Sequence, residues 1–146
     1  MLLKGYMKII YRSNIVVRLL SYILFLSLVW ADPPNWVDTP GAYAFTASMT
    51  IAVFINGKAL GDDGDMLAAF DESSNVRGVG TMHDGLGDYE GVTLHPIMLR
   101  SNSPPGDEIS FKYYDASADI IHDLEESYIF VINDIVGNLL DPHILS

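Results

Sequence analysis

Along much of the chain, apolar and polar side chains alternate with a period of two, the pattern of a half-buried β-strand. It is cleanest in Gly106–Ser117, where Ile109, Phe111 and Tyr113 fall on one face and Ser110, Lys112 and Tyr114 on the other. Pro104-Pro105-Gly106 and Asp115–Asp119 supply turn chemistry at its two ends. The longest such pattern is Tyr43–Asn56, with Tyr43, Phe45, Ala47, Met49, Ile51, Val53 and Ile55 on one side. Further strands are expected at Met66–Phe70, Val76–Met82 and Tyr89–Arg100, the last at an edge or bulge because Pro96 lacks a backbone donor. Ile120–Leu124 reads as a hairpin partner, Glu125-Glu126 as a turn, Ser127–Ile132 as a strand and Pro142–Leu145 as a short edge. His83–Asp88 and Asn133–Asn138 read as a loop and a turn.

About eight strands at this spacing, without helical periodicity, predict an all-β fold. The expected form is an antiparallel two-sheet sandwich, immunoglobulin-like or jelly-roll-like, with a closed barrel as the alternative.

Residues 1–31 break this picture. Lys4, Lys8, Arg12 and Arg18 precede the apolar run Leu19–Trp30 and then Ala31, which is the order of a secretory signal peptide cleaved after Ala31. A retained anchor is the alternative, although the run is short for a spanning helix. The expected divisions are a signal peptide helix at 1–31, a Pro-rich lead-in at 32–42 and a β-sandwich domain at 43–146. Trp36 in the lead-in is expected to fold back over one end of the core, since a bare indole is costly.

After residue 31 only Lys58, Arg77, Arg100 and Lys112 face nineteen Asp and Glu, a formal charge of −15. Nucleic acids and anionic membranes are therefore poor partners; the charge fits a soluble surface or one that meets cations or basic partners, and an extracellular protein or a glycan is the expected partner. The chain has no cysteine, which removes thiol chemistry and leaves a secreted domain standing on packing alone.

No phosphate loop, dinucleotide loop or serine-hydrolase elbow is present. The histidines lack ligand spacing, although His83 and His95 could meet across strands. Calcium is the most plausible ion, because Asp62, Asp63 and Asp65 crowd one Gly-rich loop and Asp84, Asp88 and Glu90 another. Tyr89, Tyr114 and Tyr128 are the candidates for a sugar-stacking platform. Paired carboxylates of a small secreted hydrolase are a further alternative.

Several segments carry a resemblance in order: the Trp36 lead-in, Tyr43–Met49, Gly64–Phe70, Val76-Arg77-Gly78-Val79, Ser101-Asn102, Gly106–Ser117, and Asn133–Gly137 ending in Asp141-Pro142. Together they resemble a secreted β-sandwich module of extracellular proteins from bacteria and marine microbes, often one domain among several. The module has Cys where this chain has Val76. The resemblance implies no particular activity or ligand; the expectation for the chain as a whole is a secreted, non-enzymatic binding or adhesion module of the extracellular or cell-envelope space.

Overall fold

The computed structural model describes residues 32–103 and 105–146; the expected signal segment lies outside them. Pro33–Ser146 forms one compact unit. The described residues are all-β, with ten strands: β1 (Phe45–Ile55), β2 (Lys58–Ala59), β3 (Met66–Phe70), β4 (Val76–Val79), β5 (His83–Asp84), β6 (Thr93–Ser101), β7 (Glu108–Asp115), β8 (Ile120–Ile129), β9 (Ile135–Val136) and β10 (His143–Leu145). One sheet has the order β10-β1-β6-β5, with β2 and β9 also paired to β1; the other has the order β4-β3-β7-β8. Alternation sets which side chains go inward. Ala47, Met49, Ile51 and Val53 of β1 share one core with Ile97 and Leu99 of β6 and with Leu67, Ala69, Ile109, Phe111 and Tyr113 from the second sheet.

Glycine matters where the sheets come together. A Cβ on Gly78 would strike the Met98 carbonyl, so only glycine lets β4 lie this close to β6. On β8, the Glu125 N–H donates to the Ser146 carbonyl (2.8 Å), next to β10.

The lead-in is irregular apart from a 3-10 turn at Pro40–Ala42. Trp36 is half-buried and meets Phe70 edge-to-face, ring centroids 5.5 Å apart. Asp38 holds Arg100 of β6 through two hydrogen bonds of 2.7 Å. The expected fold-back of Trp36 is therefore present, and it is fastened by an ion pair as well as by aromatic contact.

Four differences from the sequence reading have local causes. Ile120–Ile129 is one strand, not two; a register shift in the β7–β8 ladder absorbs the extra residues, and Glu126 is engaged by the Ser146 N–H and hydroxyl. The strand expected from Tyr89 begins only at Thr93, because Gly87 and Gly91 take positive φ around a 3-10 turn at Gly87–Tyr89. β5 and β9 form inside the expected loop and turn. Finally, β9 and β10 join β1 in parallel, while the other pairs are antiparallel.

Pro96 sits inside the β1–β6 ladder opposite Thr50. Its carbonyl accepts the Thr81 N–H, so its backbone faces away from β1 and its missing donor leaves that ladder intact.

Phe111 is 1% exposed at the centre of the core. Phe111→Ala should cost about 3–5 kcal/mol, a large share of the roughly 5–15 kcal/mol available to a domain. Chemical denaturation of the two proteins measures it, and unchanged midpoints would refute the inward placement.

Candidate functional site

The two acidic loops meet in part. An open cleft of about 360 Å³ is lined by Gly61, Asp63, Met82, His83, Asp84 and Thr93. Asp63 comes from the first loop and Asp84 from the second. Thr93 holds the first loop down, its hydroxyl donating to the Gly61 carbonyl (2.9 Å), and any side chain on Gly61 would collide with Thr93.

The remaining predicted ligands have other roles. Asp65 is 6% exposed and points into the protein. Its Oδ2 accepts the Tyr113 hydroxyl (2.7 Å) and the Asp62 N–H (2.9 Å), and its Oδ1 accepts the Ala116 N–H (2.8 Å). Asp65 thus serves as an internal acceptor, its carboxylate turned inward onto three donors. Parity carries the signal for this: Asp65 shares its phase with Leu67 and Ala69, the inward positions of β3. Asp62, Asp88 and Glu90 are exposed and do not line the cleft. Among the described residues, no group of three or more His, Cys, Asp or Glu is arranged around one metal position.

The three tyrosines lie on three different elements, Tyr89 in the 3-10 turn, Tyr114 on β7 and Tyr128 on β8. Tyr114 is 3% exposed, which corrects its assignment to a sugar-facing surface. It lies on β7, inside the second sheet, between Met66 of β3 and Ile121 of β8, and its hydroxyl donates to Asp119 (3.2 Å). Tyr128 is half-buried and donates to Asp134 (2.7 Å); burial and that bond push its phenol up to about 12. Tyr89 is half-buried in the 3-10 turn, where a Cβ on Gly85 would meet its backbone.

A second cleft, of about 280 Å³, is lined by Asp71, Glu72, Ser73, Arg77, Gly106, Asp107 and Glu108. Arg77 spans it, pairing with Asp71 (2.9 Å) and Asp107 (3.3 Å), and its guanidinium stacks 4.4 Å over the Tyr43 ring. Burial acts to raise the Asp71 carboxyl, but bonds from Asn75 and Arg77 outweigh it and hold the group below its usual range. Sequence reading missed this cluster, because its acids lie in separate turns and only the fold brings them around one arginine.

His83 and His95 do not meet. His83 pairs with Leu94, so the pleat turns it to the face opposite His95. His95 is fully buried, shares the inward phase of Ile97 and Leu99, and has no hydrogen-bond partner on either ring nitrogen. Its ring meets Tyr113 edge-to-face at 5.5 Å. Burial lowers its pKa to about 4, against a smaller opposing pull from Asp65. Burial first, and the bond to Asp65 second, push the Tyr113 phenol far up.

No protein-family model, curated protein or solved structure matches this chain.

Two stability predictions follow from this interior. Asp65→Ala leaves the Tyr113 hydroxyl and two N–H groups without their acceptor, and should cost about 3 kcal/mol or more; Asp65→Asn, which keeps an acceptor oxygen, should cost less. Between pH 6.5 and about 4 the unfolded chain binds a proton on His95 that the folded chain refuses. Stability should therefore fall as pH drops through that window, by roughly 3 kcal/mol in all. The Asp71 carboxyl, also held low, loses its contribution only at more acidic pH. Melting curves from pH 7 to 5 should slope for the parent and flatten for His95→Leu; equal slopes would overturn the assignment.

Proposed function

We propose that this chain is a secreted, non-enzymatic binding or adhesion module of the extracellular or cell-envelope space. In this reading its two sheets form a β-sandwich of immunoglobulin-like or jelly-roll-like kind, and loops on that scaffold do the binding. The supporting observation is the cleft that joins Asp63 and Asp84 from separate loops, on a strand framework whose other polar anchors are tied into structural bonds. The resemblance to a secreted β-sandwich module agrees with it.

The second reading is calcium-stabilised carbohydrate binding. Asp63 and Asp84 are hard oxygen donors of the kind calcium takes, and weak affinity suffices outside the cell. They would hold the ion, which would brace the two loops beside the half-buried Tyr89. A hydrolase has less support. A general acid working near neutral pH needs a raised pKa, whereas Asp71 in the carboxylate-lined cleft is held low.

Calorimetric titration with calcium should give heat and a raised melting temperature for the parent, both lost in Asp63→Asn/Asp84→Asn. No heat and no melting shift at millimolar ion would remove calcium from the reading. A glycan array tests the sugar reading separately: binding that Tyr89→Ala abolishes supports it, and a blank array counts against it.

A further inference from the structure

The outer face of the first sheet departs from the usual rule of polar outward positions. With Ala47, Met49, Ile51 and Val53 inward, the outward residues of β1 from Thr46 to Ala52 are small, although Ala52 is buried and the half-buried Phe54 follows it. On β6, Met98 stands opposite Ser48 and Pro96 opposite Thr50. On the far side of β1, Ile135 stands opposite Ser48 and Ile144 opposite Ala52. Met98 is 42% exposed, Ile135 77% and Ile144 40%. Around Ser48 the sheet thus presents a shallow trough over β1, flanked by Met98 and Ile135; toward Ala52 and Leu94 the face is covered.

This face is also electrically distinct. None of the outward positions of β1, β6, β9 and β10 is a carboxylate, and Arg100, at one end, is already neutralised by Asp38. Nineteen acids against four basic residues after position 31 make the rest of the surface repel a second copy. These outward positions add no carboxylate to that repulsion. A large–small–large row such as Met98–Ser48–Ile135 is self-complementary under a two-fold rotation, since the ridge of one copy fits the trough of the other.

We infer that this face is a self-association surface, and that its occupant is a second copy of the same chain stacked sheet on sheet. Met98 of one copy enters the trough over β1 of the other, with the two sheets about 10 Å apart. The apolar centre is small beside a standard interface, so the dimer is weak and concentration-dependent. Added salt strengthens it by screening the acidic flanks, the reverse of an association built on opposite charges.

The absence of cysteine makes a positional test direct. Ser48→Cys in the full chain, treated with a short bifunctional maleimide, should yield a covalent dimer whose yield rises with concentration and with salt. Ser73→Cys, in the acidic cleft away from the face, should remain monomeric under the same treatment. Adding Met98→Glu or Ile135→Glu to Ser48→Cys should abolish the cross-link, while the circular dichroism melt confirms that the exposed substitution leaves the fold intact. No cross-link at position 48, equal cross-linking at position 73, a yield that falls with salt, or a cross-link that survives both glutamates would each overturn the assignment.

Discussion

The buried bond between the Asp65 carboxylate and the Tyr113 hydroxyl is the constraint on which the interior of this protein turns. Tyr113 heads the largest fully buried side chains, and its polar tip cannot be left unpaired inside a core without a cost of about 1–3 kcal/mol. Asp65 answers it at 2.7 Å and has the capacity to accept two N–H groups as well, from Asp62 and Ala116. One carboxylate therefore fixes the rim of the core, the loop before β3 and the turn after β7. Asp63, between two pinned residues, is left to face the open cleft. His95 completes the group without a hydrogen bond: its ring packs edge-on against Tyr113 and is kept neutral by burial.

At another part of the molecule, charge does the fastening. Arg100 ties the lead-in to β6 through Asp38, and Arg77 joins the turns that carry Asp71 and Asp107 while covering Tyr43. Lys112 pairs with Asp123 across β7 and β8. Three of the four basic residues that follow residue 31 are thus committed to contacts within the chain, and the acidic excess stays on the surface. The Arg77 and Arg100 pairs have low side-chain exposure, where an ion pair is screened less than on an open surface. The Lys112–Asp123 pair is more exposed and contributes less.

How much was legible in the sequence depended on the range of each interaction. β3 and the inward face of β7 follow from alternation, because a period of two is a local property. The all-β class follows from the same pattern repeated. Asp65 and His95 were open to the same test of phase, but carboxylates in a Gly-rich loop and a lone histidine on a strand invited readings based on residue type. Tyr114 is buried on the nominal outward face, which alternation alone does not foresee. The Arg77 cluster and the meeting of Asp63 with Asp84 depend on loops far apart in the chain. The parallel strands β9 and β10 are two and three residues long, too short to leave a periodic trace.

Those two short strands bear on how the fold is reached. β1 takes one neighbour from β6 and the other from β9 and β10, so Ile51 must find His143, 92 positions further along. Chains rich in such distant pairings close their loops late and fold over milliseconds to seconds rather than microseconds. Until β9 and β10 arrive, one edge of β1 is an unpaired row of backbone donors and acceptors beside apolar side chains, a template for pairing with another chain. The last-placed residues therefore act as a guard for the first strand, and delaying them would prolong its exposure to aggregation.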